Sequence, residues 1–323
     1  MLRTLLNATA LYGQGQQGIA RRCKFLLRAL AQWPYSEHWF RYLQAQPELV
    51  TALPQQPQWL HKLQRPYLCA GYGTRTKLRL LRQHFELFLQ RLPQPLRHSL
   101  LSRHAVFMAA VSGKSGMGYR VQLSVTHTMD KEGELMLTLQ PETGGQRLAT
   151  LAFSFGQDRQ GRAQIYIGCL QGPSGQGGRD LFREVTKDLH GLMPKVLLMK
   201  SLYALARLMG IDTVLAVSNL AHVHNTAWRR YQSIQADYDA FWHSLGSTRL
   251  NARHFRLDTA GHERPLSEVP SSKRAQYQRR RALEHTIAEQ FGRFWLTGPD
   301  RAMPASDPTT PPRPCCGPGL QAA

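Results

Sequence analysis

The sequence predicts an α+β protein in which an antiparallel β-meander is followed by a strand-helix-helix-strand unit, with a helical region before both. The spacing of apolar residues predicts this order. Apolar residues have helical spacing up to about residue 105 and alternate with polar residues through 105–171. Helical spacing then returns before a second apolar run. A chain of 323 residues with 42% hydrophobic residues can bury a proper core. We therefore expect a globular protein.

The N-terminal part, residues 1–65, is basic and has helical spacing. Its aromatic cluster, which includes Trp33 and Trp39, forms either a docking surface or packing under the main domain, and we favour packing. The prolines that follow are typical of an irregular connection. We predict three parts: this helical region, a core domain at 66–296, and a disordered Pro/Gly-rich tail at 297–323.

The core domain begins with an amphipathic helix that starts at Arg75 and ends before Pro93. Alternating residues then predict four strands joined by short turns. The strands lie at Tyr119–Val125, at Leu135–Leu139, and in the segments LATLAFSF and QIYIGCLQ. Such a series predicts an antiparallel meander with one face buried.

After the last of these strands, the segment GPSGQGG at 172–178 is predicted to form a glycine-rich loop that leads into a helix over 180–190. Glycines let backbone amides approach an anion, and a helix N-terminus adds a positive dipole. The loop either holds a phosphate or is only a long turn. A second helix with a buried stripe through Leu198 and Leu202 follows, and Thr213–Val217 is predicted to be a strand buried on both faces.

The end of that buried strand carries polar side chains, which we regard as site candidates. Ser218, Asn219 and His222 come directly after it, and Tyr231 lies in the helical segment that follows. Histidine titrates near neutral pH, so acid-base chemistry is one interpretation. The other interpretation is structural: these side chains cap the next helix and form hydrogen bonds with buried backbone groups. Asp237 and Asp239 either form a base with its orienting group or neutralise nearby arginines.

Charge sets the class of partner that we expect. The chain has 41 Lys and Arg against 21 Asp and Glu, a formal net charge of +20. Polyanions are therefore the default partners: an anionic membrane, a phosphorylated small molecule, or nucleic acid. We do not expect nucleic acid, because no nucleic-acid-binding motif accompanies the charge. The densest basic run lies in a predicted final helix and comprises Lys273, Arg274, Arg279, Arg280 and Arg281.

Cysteine usage and hydropathy bear on localisation. The five cysteines have no zinc-ligand spacing, and the adjacent pair Cys315 and Cys316 lies in the tail. We expect a reduced setting without disulfides and without a bound metal. We also find neither a signal-peptide pattern nor an apolar run long enough to span a bilayer. The expected location is the cytoplasm, including the inner face of the cytoplasmic membrane.

Several long blocks of the sequence resemble the VirK/YbjX family of bacterial proteins. They are YLCAGYGTRTKLRLLRQHFELF, KEGELMLTLQ, IGCLQGPSGQGGRDLFREVTKDLHGLMPKVLLMKSLYALARLMGIDTVLAVSNLAHV, ADYDAFWHSLG and SSKRAQYQRRRAL. They occur in the family's order and cover roughly residues 25 to 290. The resemblance implies an association with the Gram-negative cell envelope, virulence and tolerance of antimicrobial peptides. It carries over no catalytic residue.

The predicted order of elements is also similar to the core of the GCN5-related N-acyltransferases. That resemblance implies acyl-CoA as cofactor. The residues that it places at the pyrophosphate are Gln171, Gly175, Gly177, Gly178 and Arg179, and those that it places near the acyl carbonyl are Ser218, Asn219, His222 and Tyr231. The chain departs from the pattern because its loop is one residue longer and because two helices, not one, separate the strands.

Two functions from different classes follow. The first is an acyl-CoA-dependent acyltransferase acting in cell-envelope modification or in a biosynthetic pathway. The alternative is a non-catalytic basic accessory protein that binds an anionic membrane or an exported client protein, linked to virulence and antimicrobial-peptide tolerance.

Overall fold

A computed structural model describes residues 16–298, apart from residues 103, 174, 176, 226–236 and 261–264. The chain begins with helices, as predicted. In order they are α1 (Gln16–Ala31), α2 (Trp33–Gln44), α3 (Pro47–Ala52), a 3-10 helix (Pro57–Gln64), α4 (Thr74–Arg91) and α5 (Gln94–Leu101). Tyr231 and residues 299–323 of the predicted tail lie outside the described residues.

A mostly antiparallel sheet of eight strands follows, in the spatial order β1-β2-β3-β4-β5-β6-β8-β7 within the described part of the chain. Its first five strands form a meander: β1 (Val106–Ser112), β2 (Gly118–Val125), β3 (Leu135–Pro141), β4 (Ala149–Gln157) and β5 (Ala163–Gln171). The predicted meander had only four strands. The missed strand, β1, reads VFMAAVS, where small residues blur the alternation that marks a strand.

The predicted strand-helix-helix-strand unit is confirmed. From β5 the chain runs through α6 (Gly178–Asp188) and α7 (Pro194–Leu208) to β6 (Thr213–Val217), which pairs with β5 in parallel. The rest of the described residues include α8 (Tyr238–Ser244), β7 (Thr248–Arg249), β8 (His254–Asp258), a 3-10 turn (Leu266–Glu268) and α9 (Ser271–Thr297).

Residues 246–270 have the composition of a loop, yet they contain strand β8. It pairs antiparallel with β6, for example through Val217 and His254. The strand has five residues, of which Phe255 and Leu257 are buried hydrophobics. Two apolar residues are too few to show a period, so pairing with β6 decides the structure here.

The sheet is covered on both sides. Helices α4 and α7 both contact β4, and every residue of β4 from Ala149 to Gly156 is buried. The N-terminal aromatics take part in the same hydrophobic cluster as the sheet, since Trp39 and Phe40 are buried in it. This agrees with packing rather than docking for these two rings. The division of the chain at residue 65 stays a prediction.

Two of the four prolines that we expected to mark an irregular connection instead begin helices. Pro47 opens α3 and Pro57 opens the 3-10 helix. Proline suits the first helical position because its fixed φ is helical and its missing N–H would have no partner there. The segment is also not a linker, since Leu49 and Trp59 are buried in the core.

Candidate functional site

Strand β5 changes course where its pairing with β6 ends. The parallel pairing extends to Ile167 and Ala216, although β5 continues to Gln171. At this point Ala152 pairs with Cys169 but Phe153 pairs with Ile167, so Gly168 is an extra residue in β5. A bulge of this kind bends its strand and interrupts the ladder. The carboxyl-terminal part of β5, residues 168–171, therefore forms no ladder pairs with β6.

Gly168 also allows another segment to approach β5. A Cβ atom at this position would lie 2.0 Å from the carbonyl oxygen of Glu132, which is closer than any contact that atoms tolerate. Glu132 belongs to the turn between β2 and β3. The glycine therefore brings this turn, with its carboxylate, against the unpaired part of β5.

Tyr238, the first residue of α8, lies against the same part of β5. Its hydroxyl is 3.2 Å from the Cys169 sulfur and 3.4 Å from the Leu170 backbone nitrogen, which donates to it. Asn219 positions the tyrosine, because the Tyr238 N–H donates to the Asn219 Oδ1 atom at 2.8 Å. Burial raises the pKa of Tyr238 well above its usual value, so this hydroxyl keeps its proton at neutral pH.

A histidine and a carboxylate form a hydrogen-bonded pair in this region. The Nε2 atom of His224 is 2.7 Å from a carboxylate oxygen of Glu132, whose side chain is 5% exposed, whereas His224 is 35% exposed. Burial alone would raise the pKa of Glu132. The hydrogen bond that Glu132 accepts from His224 outweighs burial and lowers that pKa. Glu132 therefore stays ionised and accepts the Nε2–H of His224, which leaves the Nδ1 atom of that ring to accept a proton.

His222 lies between this pair and Tyr238. Its ring stacks on Tyr238 with centroids 5.2 Å apart and is 5.6 Å from the His224 ring. Burial lowers the pKa of His222 to about 4, so the ring is neutral at physiological pH. Its buried Nε2 atom has no hydrogen-bond partner among the described residues. Such an atom is costly to bury unless something else satisfies it.

Cys169 and Lys195 extend the cluster towards the glycine loop. Burial raises the pKa of the Cys169 thiol to about 12, so it is not a nucleophile at neutral pH. The Lys195 ammonium is 5.9 Å from the centre of the Phe241 ring, and its Cε atom would lie 3.5 Å from a Cβ on Gly172. Burial lowers the pKa of Lys195. This lysine places a positive charge beside the loop.

The glycine loop has the conformation that its composition favours. Gly175 and Gly177 have φ angles of 89° and 82°, in the left-handed region. The Gly178 N–H already donates to the Gly175 carbonyl at 3.2 Å, and the Leu181 N–H donates to Gly177. Gln171 and Arg179, the other predicted cofactor residues, are exposed on either side. Whether the five residues bind a cofactor stays a prediction.

The candidates after β6 divide into two groups. His222 and Asn219 belong to the cluster described above. Ser218 does not, since its hydroxyl donates to the Ala252 carbonyl at 2.8 Å and joins β6 to the segment before β8. Asp237 caps α8 by accepting from the Ala240 N–H, and Asp239 accepts from the Asn219 N–H and lies 3.7 Å from Arg249. Both carboxylates are thus accounted for by structural contacts within the described chain.

The sequence did not identify Glu132, Lys195 or Tyr238 as site residues. Glu132 follows an Asp-Lys pair in a hairpin turn, where acidic residues are common and carry no functional signal. Lys195 occupies the first turn of α7. In both cases only the fold brings the residue to the site. We find no group of three or more potential metal ligands in the described part of the chain.

The predicted basic patch on α9 is divided by the structure. Arg274 donates to the Val269 carbonyl at 3.0 Å, and Arg280 donates to the His190 carbonyl at 2.8 Å. These two side chains hold backbone segments in place. Lys273, Arg279 and Arg281 are exposed. Binding of an anionic membrane by the patch stays a prediction.

Comparison with known proteins identifies the family. A family model described as "Protein of unknown function (DUF535)" matches residues 14–292. The uncharacterized protein YbjX of Escherichia coli K12 is 32% identical over 272 residues, which cover 84% of this chain and 82% of YbjX. A protein of Mannheimia haemolytica named "Membrane protein LapB" is 24% identical over 213 residues, covering 65% of this chain and 89% of that protein. Among the described helices of this chain, none is both long and apolar enough to cross a membrane. The extent of the family match and the similarity to YbjX show that the chain belongs to the VirK/YbjX family of bacterial proteins.

Proposed function

We propose that the protein is an acyltransferase that takes its acyl group from a CoA thioester. The observation that carries this proposal is the course of β5, which bends at Gly168 where its parallel pairing with β6 ends and then leads into the glycine loop. A strand that separates from a parallel neighbour offers unpaired backbone groups to an extended ligand. The helix N-terminus beyond the loop favours the ligand's phosphates.

In this proposal the pyrophosphate of CoA lies at the loop, where Lys195 and the amides near Gly177 supply positive charge. The pantetheine arm follows β5. The Leu170 N–H now donates to the Tyr238 hydroxyl, and a carbonyl of the arm would replace that hydroxyl as acceptor. The unsatisfied Nε2 atom of His222 would gain a polar partner from the same ligand.

His224 then acts as general base. An amine or hydroxyl of the acceptor gives its proton to His224 and attacks the thioester carbonyl, which forms an amide or ester bond. The carbon-sulfur bond breaks, and the CoA thiolate leaves with the bonding electron pair. Glu132 stabilises the protonated His224 ring by its charge. The proton passes from His224 to solvent or to the leaving thiolate, so that the histidine is restored.

Calorimetric titration with acetyl-CoA and with free CoA tests the proposal. We expect micromolar binding to the natural chain and at least a tenfold weaker binding to Gly177→Asp, because a carboxylate there repels the phosphates. Gly161→Asp is the matched control. Gly161 also has a left-handed φ and open space around it, but it lies in the β4-β5 turn at the other end of β5.

Equal weakening by both substitutions would show that only general charge matters. Absence of heat with either ligand would remove the proposal.

The second candidate is a non-catalytic accessory protein that binds an anionic membrane, and the exposed start of α9 favours it. Residues 271–276, which include Lys273, are all exposed, and so is Arg279 further along the helix. The relative from Mannheimia is named a membrane protein. Binding to phosphatidylglycerol vesicles should weaken with salt and with the double substitution Lys273→Glu, Arg279→Glu. Vesicle binding that responds to neither would exclude this candidate.

A further inference from the structure

A cleft of about 470 Å³ lies between α7, α9 and the end of β8. Helix α7 contributes Lys200, Tyr203 and Arg207, which are spaced so that they share one helix face. Helix α9 contributes a second face that includes Arg281 and Glu284. The cleft volume is in the range of sites that bind small molecules.

The cleft is separate from the candidate active site. Lys195 belongs to that site and lies in the first turn of α7, whereas Arg207 lies in its last turn. With a rise of 1.5 Å per residue the two are about 18 Å apart along the helix. The lining residue of α7 nearest to Lys195 is Lys200, about 7.5 Å away along the helix, and no residue of the candidate active site lines the cleft.

Small side chains keep the cleft open. Ala260, Ala282 and Ala288 line it and fill little space between the longer side chains around them. At its floor, Tyr203 is 6% exposed, and burial, followed by the charge of Asp258, raises the pKa of its hydroxyl. This hydroxyl keeps its proton at neutral pH and can donate a hydrogen bond.

The walls of the cleft carry an excess of positive charge. Lys200, Arg207 and Arg281 face one carboxylate, that of Glu284, which lies 2.9 Å from the Lys200 ammonium. Arg207 donates to the Thr259 carbonyl at 3.1 Å, which fixes its guanidinium at the edge of the cleft. A guanidinium has several further N–H donors in a planar fork that matches phosphate oxygens.

We propose that this cleft binds the phosphate group of a small phosphorylated molecule or of a phospholipid headgroup. Arg207 and Lys200 pair with the phosphate oxygens, Arg281 adds charge at the mouth, and the Tyr203 hydroxyl donates from the floor. The proposal is independent of the proposed acyl transfer, because no residue of the cleft belongs to that site.

Titration of the full chain with inorganic pyrophosphate, followed by calorimetry at constant ionic strength, tests the proposal, with Gly177→Asp present in every variant so that the proposed CoA site does not contribute. We expect Arg207→Glu to weaken binding by about tenfold or more, the usual effect of losing a charge-assisted hydrogen bond. Arg41→Glu is the charge-matched control, since Arg41 is exposed on α2 and pairs with Glu37 one turn away at 2.6 Å. Binding to this control should change less than twofold.

A substitution that leaves the net charge unchanged distinguishes binding in the cleft from general electrostatic attraction to the protein. Ala282→Trp fills the space between the walls and should weaken pyrophosphate binding about as much as Arg207→Glu does. It also provides the test if Arg207→Glu proves too unstable to measure. Sedimentation with vesicles of phosphatidic acid in phosphatidylcholine distinguishes the two sources of phosphate. Pyrophosphate binding identifies a soluble ligand, and binding to these vesicles alone identifies a headgroup, provided that both cleft variants lose it.

The proposal is overturned if the natural chain binds neither probe. It is also overturned if Arg41→Glu weakens binding as much as the two cleft variants do, because the +20 net charge alone then explains the binding.

Discussion

The Nε2 atom of His224 lies 2.7 Å from a carboxylate oxygen of Glu132, although 92 residues separate them in the sequence. Their contact joins the β2-β3 turn to the segment after β6. Gly168 makes it possible, because its missing side chain lets the backbone of Glu132 approach β5. The bulge in β5 therefore allows the contact between the two side chains.

The first prediction concerns His224 as general base. His224→Asn should lower the rate of CoA release from acetyl-CoA by about a hundredfold or more, because a positioned base contributes at least that factor to proton transfer. Release is followed with a thiol reagent. His285→Asn is the matched control, since His285 also lies beside a glutamate, at 3.3 Å from Glu289, but on the exposed face of α9. Unchanged release by His224→Asn would rule out this role.

The second prediction concerns the bulge. Gly168→Ala should destabilise the protein by about 1–3 kcal/mol or more, because the added Cβ meets the Glu132 carbonyl oxygen at 2.0 Å and the turn must move. Gly292→Ala should stabilise it by about 0.5–1 kcal/mol, because Gly292 lies inside α9 with open space around it. Urea denaturation measures both. Similar free energies of unfolding for the two variants would contradict the tight contact.

The elements could largely be predicted from the sequence, whereas most of the site could not. The order from β5 through α6 and α7 to β6 follows from changes in apolar spacing, which are local. His222 was recognised because it follows a buried strand. Its neighbours Glu132 and Tyr238 come from distant segments, and side-chain type alone does not reveal a contact that pairing and packing create. Ser218 was a candidate because it follows a buried strand. In the structure its hydroxyl instead forms a hydrogen bond that joins two backbone segments, which its position in the sequence did not reveal.

The third prediction concerns a buried ion pair beneath the sheet. The Lys62 ammonium is 2.9 Å from the Glu134 carboxylate, and both side chains are at most 3% exposed. Glu134→Leu should cost about 3–5 kcal/mol, because it leaves the buried lysine without its counter-charge. The double variant Lys62→Met, Glu134→Leu should recover most of that loss. Chemical denaturation of the single and double variants measures the coupling, and a double variant as unstable as the single one would contradict it.

The last prediction concerns stability in mild acid. Burial lowers the pKa of His84 to about 3, and burial is also the main cause that lowers those of His222 and His254 to about 4. In the unfolded chain each histidine titrates near 6.5. The unfolded state therefore binds more protons between these values, and stability is fully present above about pH 6.5 and falls as the pH decreases towards 4.

Each of the three histidines contributes a slope of up to about 1.4 kcal/mol per pH unit in this window. Urea denaturation at pH 7.5 and pH 5.5 should show the loss before the carboxylates begin to titrate. His84→Gln should reduce the pH dependence by about a third, whatever its effect on absolute stability, because one of three titrating groups is gone. A slope that His84→Gln does not alter would show that His84 binds as many protons in the folded protein as in the unfolded chain.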